Sequence, residues 1–177
     1  MRYSILSFLF AWILPTKSDR EQFRDLCKDI DSRRKPYIIQ KRYNKKIQQL
    51  RAKNKIKVVF ISCTNTKWTY ESLLQELKND KRFEIEVLIN TYIDYTNGKW
   101  QYSRWQTDMN DNYAWFEKKN ISVKYLYSIE KQKFIDLKSF NPDIVFYEQP
   151  WQLPKKYQPY NVSKYALTFY SNYGGIN

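Results

Sequence analysis

The stretch Ile56–Cys63, IKVVFISC, carries the strongest fold signal in the chain. It is short, rich in β-branched residues and almost continuously apolar, which is typical of a strand buried on both faces of a parallel sheet. Polar residues follow at Thr64–Lys67, and a helical stripe of apolar residues begins at Tyr70 and runs to about Asp80. This order of strand, turn and helix predicts the first unit of an α/β fold.

The rest of the chain repeats this alternation. Further strands are predicted at Phe83–Tyr92, Ile121–Tyr127, Ile144–Tyr147 and Ala166–Tyr170, and further helices at Ser103–Asn120 and Ile129–Phe140. Glu84 and Glu86 alternate along the second strand, so we expect both to point outward. Right-handed crossovers then give a Rossmann-like, doubly wound parallel sheet of about five strands with helices on both faces.

Composition excludes several classes of protein. The chain has 177 residues, no His, two Cys and three Gly. Without His there is no Ser-His-Asp triad and no His-containing metal site, and three Gly residues cannot form a G-x-G-x-x-G loop. We therefore expect neither a metal nor a cofactor.

The net charge of +13 is concentrated at the start of the chain. Residues 1–55 contain 15 Lys and Arg against 5 Asp and Glu, whereas residues 56–177 contain 16 against 13. A nucleic-acid-binding domain would spread its basic excess over a folded face. We therefore divide the chain into a basic leader, 1–55, and a Rossmann-like domain, 56–177, and expect no nucleic-acid partner.

The apolar stretch Ser4–Leu14 is too short to span a bilayer, which requires about 20 residues. Three interpretations stay open: an interfacial membrane anchor, a helix packed in the core, and a cleaved signal peptide. We favour the anchor, with Phe8, Phe10, Trp12 and Leu14 at the headgroup boundary and anionic lipid attracting the basic residues behind them.

Residues 16–55 predict two helices. Ser18 and Glu21 have the spacing of a capping box, and Ser32–Pro36 should separate the helices because Pro36 disfavours a helical residue before it. Arg33, Arg34 and Lys35 lie in this stretch. They fit a solvated helix face or a membrane-binding surface, and the neighbouring apolar stretch favours the membrane.

Ligands of doubly wound sheets bind outside the carboxyl ends of the strands. The candidate binding residues in these loops are Asn65, Lys67, Trp68, Glu148, Gln149, Trp151, Asn172 and Tyr173. Glu148 is the one catalytic candidate, as a general base or as an acceptor for a sugar hydroxyl. The alternative interpretation, which a single Glu favours, is a residue that caps a backbone turn or pairs with Lys67. Trp68 and Trp151 fit either sugar-stacking platforms or core residues.

Three stretches make the sequence resemble a known family: KWTYESLLQEL (Lys67–Leu77), NPDIVFYEQPW (Asn141–Trp151) and SKYALTFYSNYG (Ser163–Gly174). They are similar to the N-terminal half of the CDP-glycerol glycerophosphotransferase-like proteins of teichoic-acid and capsule synthesis. The resemblance implies a GT-B-like arrangement, in which this half handles the acceptor and a C-terminal half binds the nucleotide-linked donor. It also implies a cytoplasmic protein at the inner face of the cell membrane.

Two departures from the family shape the functional expectation. The chain ends shortly after the fifth predicted strand, without a donor-binding half. It also contains no His that could correspond to the catalytic His residues of the family. We expect the acceptor-side domain of a glycerophosphotransferase or glycosyltransferase, truncated and inactive alone. The alternative is a non-catalytic, membrane-associated binding module. The expected partners are a lipid-linked or polysaccharide acceptor, an anionic membrane, and a second chain or domain that binds a CDP- or nucleotide-linked donor.

Overall fold

The computed structural model describes residue 11 and residues 14–90, 102–128, 130–131, 133–150 and 153–171, without the side chains of 102–108. The strands are β1 (Ile56–Ser62), β2 (Phe83–Ile89), β3 (Ser122–Tyr125), β4 (Tyr127–Ser128), β5 (Lys133–Phe134), β6 (Ile144–Tyr147) and β7 (Leu167–Tyr170). Five of them form an all-parallel sheet in the order β3-β2-β1-β6-β7, and β4 and β5 pair as an antiparallel hairpin. The predicted Rossmann-like α/β fold is confirmed.

The helices connect these strands. They are α1 (Lys17–Arg51), α2 (Glu71–Asn79), α3 (Tyr102–Glu117) and the short α4 (Pro159–Val162). Short 3₁₀ segments occupy Asn65–Lys67, Leu137–Phe140 and Lys155–Tyr157. Because β1 lies beside both β2 and β6, the strand order reverses between β1 and β6, and the carboxyl ends of these two strands form the switch point of the sheet.

The apolar run of β1 explains its central place. Val58 and Phe60 pack on one face of the sheet, in the core cluster that contains residues of α2 and α3. Val59 and Ile61 pack on the opposite face, and all four side chains are completely buried. That second face is covered by the hairpin, the 3₁₀ segments and α4 instead of long helices.

The predicted helix break before Pro36 is wrong, because α1 runs without interruption from Lys17 to Arg51 with Pro36 inside it. A proline in a helix interior removes one hydrogen bond and costs about 3 kcal/mol, and here the helix continues on both sides of Pro36 despite that cost. The predicted cap is also misplaced. Thr16 Oγ1 accepts the Asp19 N–H at 3.1 Å, so the cap lies two residues before Ser18.

Replacing Pro36 by Ala should strengthen α1. The substitution restores the missing backbone donor in a solvent-exposed helix interior, where Ala is favoured over Pro by about 3 kcal/mol. We expect a higher helical signal in far-ultraviolet circular dichroism and slower amide hydrogen exchange at residues next to position 36. Unchanged exchange there would contradict a continuous α1.

The helix predicted at Ile129–Phe140 is also wrong. Within the described residues, this stretch contains β5, which pairs with β4, and a 3₁₀ segment capped by the Asp136 side chain. The ring of Phe134 packs edge-on against Tyr127 at 5.0 Å, and this tertiary contact replaces the helical packing suggested by its spacing from Leu137.

Glu86 departs from the expected outward orientation. Glu84 is exposed, but Glu86 is 2% exposed. Lys57 on β1 approaches the Glu86 carboxylate to 3.1 Å, and Lys124 on β3 pairs with it from the other side. Neighbouring strands therefore supply the two cations that permit a buried carboxylate on β2.

Asp143, immediately before β6, ties the end of α1 to the sheet. The chain divides into two compact units, Met1–Lys45 and Lys46–Asn177, so the last residues of α1 belong to the second. Lys46 and Lys53 contact the buried Asp143 carboxylate at 2.9 and 2.7 Å, and the Lys57 N–H donates to it at 3.2 Å. This cluster lies at the amino-terminal edge of the sheet, opposite the switch point.

Candidate functional site

Glu148 follows β6 directly and lies at the switch point of the sheet. Its backbone N–H donates to Ile61 O of β1 at 3.1 Å, which continues the β1–β6 pairing by one residue and brings Glu148 beside the end of β1. The residue is 1% exposed. A carboxylate is therefore held in the interior at the place where such sheets bind ligands.

The two carboxylate oxygens of Glu148 have different surroundings. Oε2 accepts three hydrogen bonds, from Ser62 Oγ at 2.8 Å, from the Cys63 N–H at 2.7 Å and from the Thr64 N–H at 3.3 Å. Oε1 is buried and has no hydrogen-bond partner. Oε2 thus caps the backbone turn after β1, which is the turn-capping interpretation of the sequence. Oε1 has no hydrogen-bond donor within the protein.

Asn112 of α3 orients the Ser62 hydroxyl. The Ser62 hydroxyl proton is donated to Glu148, so Ser62 Oγ can only accept from Asn112, and Nδ2 is the atom that approaches it at 3.2 Å. This fixes the orientation of the Asn112 amide. The carbonyl oxygen of the amide, Oδ1, is buried and has no hydrogen-bond partner.

Asn90, the residue after β2, completes the cluster. Its backbone N–H donates to Ser62 O at 2.7 Å, and its Nδ2 lies 3.6 Å from Cys63 Sγ. Oδ1 of Asn90 is again buried without a hydrogen-bond partner. We call Ser62, Cys63, Asn90, Asn112 and Glu148 the carboxyl-edge cluster. Its three unpartnered atoms are all hydrogen-bond acceptors.

The electrostatics of the cluster follow from its burial. Desolvation raises the pKa of Glu148 above its ordinary value, and the hydrogen bonds from Ser62, Cys63 and Thr64 and the charge of Lys67 offset only part of this rise. Since Oε2 already accepts three donors, a proton on this carboxyl group resides on Oε1. Glu148 can therefore accept a hydrogen bond or a proton through Oε1.

The sequence-predicted binding residues separate into groups. Gln149 is buried directly after Glu148, Asn65 is half-buried and Lys67 is exposed. Trp68 packs its ring edge-on against Phe116 at 4.6 Å, a contact that fits the core interpretation of this residue. The remaining three lie outside the described residues: Trp151, Asn172 and Tyr173.

The predicted membrane residues are described only in part. Phe8, Phe10 and Trp12 lie outside the described residues, and Leu14 is half-buried. Arg33, Arg34 and Lys35 are exposed on α1, where Arg33 pairs with Asp29 at 2.9 Å. No helix in the part of the chain that the structure describes is both long enough and apolar enough to cross a bilayer.

Of the cluster, sequence reasoning identified only Glu148 and missed Ser62, Cys63, Asn90 and Asn112. Asn112 shares the buried side of α3 with Met109 and Phe116, at helical spacing. The sequence signal that could have identified Asn112 is a polar residue on an otherwise apolar face of a helix. The described residues contain no group of three or more His, Cys, Asp or Glu side chains that could hold a metal ion.

Comparison of the chain with models of protein families, with curated proteins and with solved structures found no match. The functional interpretation therefore depends on the fold and on the carboxyl-edge cluster.

Proposed function

We propose that the chain is the acceptor-side domain of a glycerophosphotransferase-like or glycosyltransferase-like system for bacterial surface polymers. It binds a polysaccharide or lipid-linked acceptor at the carboxyl-edge cluster. The observation that carries this proposal is the unpartnered Oε1 of the buried Glu148 at the switch point of the sheet. A buried carboxylate oxygen without a partner is costly unless a ligand supplies a donor.

The chemistry of the cluster favours an acceptor over a nucleotide-linked donor as the ligand. All three unpartnered atoms are hydrogen-bond acceptors. The nearby donors of Ser62, Cys63 and Thr64 already donate to Glu148 Oε2. A diphosphate brings negative charge and further acceptors, which this arrangement repels, so the acceptor that fits the cluster presents uncharged hydroxyl groups there. A polyol or sugar instead brings hydroxyl groups, which can donate to Glu148 Oε1.

The role assigned to the chain is binding. With no His in its sequence, the chain lacks the most common general base, and Glu148 is the carboxylate that would accept a hydrogen bond from the acceptor. A second chain or domain that holds the donor would complete the transfer. A purely non-catalytic binding module of the same fold remains the alternative function.

A binding isotherm tests the proposal. We expect a short neutral oligosaccharide to bind the full chain more tightly than CDP-glycerol does, and Glu148→Gln to weaken oligosaccharide binding about tenfold, since a hydrogen bond to a charged group contributes about 1.5 kcal/mol or more. The exposed Glu76→Gln on α2 is the matched control and should bind like the wild type. Equal binding by Glu148→Gln, or tighter binding of CDP-glycerol, would contradict an acceptor site at Glu148.

We also propose that the leader brings the chain to anionic membrane surfaces. On α1, Leu26 and Tyr37 are 56% and 73% exposed and lie eleven positions apart, so they share one side of the helix. Arg33 and Lys41 are close to them in helical angle and are also exposed. Exposed apolar side chains bordered by cations are typical of helices that bind the interface.

Deletion of residues 1–15 should lower the fraction of the chain bound to vesicles that contain phosphatidylglycerol, because it removes the apolar stretch and leaves only the basic residues behind it, which contribute about 1 kcal/mol each near an anionic surface. Co-sedimentation measures the bound fraction, with neutral phosphatidylcholine vesicles as the control. If the truncated chain sediments as completely as the full chain, the apolar stretch is not the anchor.

A further inference from the structure

The three side chains that carry the unpartnered oxygens of the carboxyl-edge cluster are joined in one network through their other polar atoms. Glu148 Oε2 and Asn112 Nδ2 both lie within 3.2 Å of Ser62 Oγ. Asn90 joins through Cys63, whose N–H donates to the same Glu148 oxygen at 2.7 Å. Each of the three side chains that carry the unpartnered oxygens, Glu148, Asn112 and Asn90, is at most 2% exposed. Solvent therefore does not satisfy these atoms.

The charge of the network is also unbalanced. None of the ion pairs among the described residues involves Glu148, and the positive charge of Lys67 acts on it only as a minor influence. The other buried carboxylates of the domain, Asp143 and Glu86, each have two lysine partners. Buried charges in proteins are normally paired in this way. Glu148 therefore differs from Asp143 and Glu86 in having no ion-pair partner among the described residues.

We propose that the carboxyl-edge cluster binds a protonated primary amine, and thus that the acceptor carries an amino group. An ammonium group has three N–H donors and one positive charge, which match the three acceptors Glu148 Oε1, Asn112 Oδ1 and Asn90 Oδ1 and the single carboxylate charge. The inference rests on the proposed acceptor site and specifies which group of the acceptor occupies it.

Two other occupants fit less well. A hydroxyl group donates one hydrogen bond and leaves the carboxylate charge without compensation in a desolvated site. A divalent cation such as Ca²⁺ takes about six to eight oxygen ligands, whereas the described cluster offers three unpartnered oxygens. Of these three occupants, the ammonium group is the one that matches both the number of acceptors and the charge.

Ethanolamine and ethylene glycol form a matched pair of probes, because they differ only in the replacement of one hydroxyl by an amine. Ethanolamine is added at constant pH and ionic strength. We expect it to shift the backbone amide resonances of Cys63 and Thr64 and the side-chain amide resonance of Asn112, because these groups donate within the cluster. The shifts should level off as the site fills. Ethylene glycol at equal concentration should shift them much less.

Variants link these shifts to the cluster. Glu148→Gln should weaken ethanolamine binding about tenfold or more through loss of the charge, and Asn112→Ala severalfold through loss of one acceptor. Glu76→Gln, an exposed glutamate on α2, should leave it unchanged. The Cys63 and Thr64 resonances come from backbone amides that donate to Glu148. Their positions in the spectrum therefore also report whether each variant is folded.

The outcomes separate the inference from the function on which it rests. Equal shifts with both probes would overturn the ammonium site and support a hydroxyl-binding acceptor site. Shifts by ethanolamine that persist in Glu148→Gln would place amine binding elsewhere and overturn the inference. If neither probe moves these resonances, the ammonium site is overturned, while the binding isotherms of the acceptor oligosaccharide decide the acceptor site separately.

Discussion

Replacing Asp143 by Asn should lower the free energy of unfolding by about 2–3 kcal/mol. The Asp143 side chain is 3% exposed and receives Lys46, Lys53 and the Lys57 N–H. Loss of one member of a buried ion pair costs about 3–5 kcal/mol. The cost is smaller here because the Lys46 and Lys53 side chains are 18% and 40% exposed and can turn to water. Urea unfolding followed by circular dichroism measures the change.

The pH dependence of this effect has a defined sign. Burial raises the pKa of Asp143, but the hydrogen bonds from Lys53, Lys46 and the Lys57 N–H outweigh it, and the pKa lies below its ordinary value. The stabilisation is therefore present above the ordinary pKa of about 3.9 and is lost as the pH falls through the folded-state pKa. The difference between wild type and Asp143→Asn should disappear in acid.

Asp80 provides the matched control. It is also paired with a basic residue, Arg82, but that guanidinium is 70% exposed, and Asp80→Asn should change stability little. An Asp143→Asn variant as stable as Asp80→Asn would show that the Asp143 cluster does not hold the end of α1 to the sheet.

Two substitutions of Glu148 should have opposite effects on stability. Glu148→Leu removes the acceptor for Ser62 Oγ and the N–H groups of Cys63 and Thr64, and each buried donor left without a partner costs about 1–3 kcal/mol. We expect a loss of about 3 kcal/mol or more. Glu148→Gln keeps a carbonyl oxygen for these donors and removes the buried charge, so it should stabilise the chain at neutral pH.

The pH profile distinguishes these effects. Because burial raises the pKa of Glu148, the folded state binds the proton more tightly than the unfolded state does. Wild-type stability relative to Glu148→Gln should then fall as the pH rises from the ordinary glutamate pKa of about 4.3 through the folded-state value. Thermal unfolding between pH 4 and pH 8 measures this difference. A parallel pair of profiles would mean that the Glu148 charge is not desolvated.

The fold was largely predictable from short apolar runs. Ile56–Cys63 and Ile144–Tyr147 identify central strands because a strand buried on both faces has no room for polar residues. Two of the failures occur where a tertiary contact decides the local structure. Phe134 joins a hairpin through Tyr127, and Glu86 is buried because lysines from the two neighbouring strands meet it, neither of which is visible in local periodicity.

The candidate site was predictable only at its centre. Glu148 was identified because it follows a buried strand, and such positions gather at the carboxyl edge. Asn90 was missed because the second strand was predicted to continue to Tyr92, whereas β2 ends at Ile89. Asn112 reaches Ser62 across 50 positions of sequence, and this proximity depends on how α3 packs on the sheet. Strand ends predict where a site lies, but its partners require the packed structure.

The pH titration of the Glu148 carboxyl carbon by nuclear magnetic resonance, with and without the acceptor oligosaccharide, tests the proposed ligand site most directly. The predicted result is a pKa above the ordinary glutamate value in the free chain, which falls when the acceptor donates to Oε1 and stabilises the charged form. A carboxyl group that titrates at its ordinary value, or whose pKa the acceptor leaves unchanged, would contradict a ligand site at Glu148.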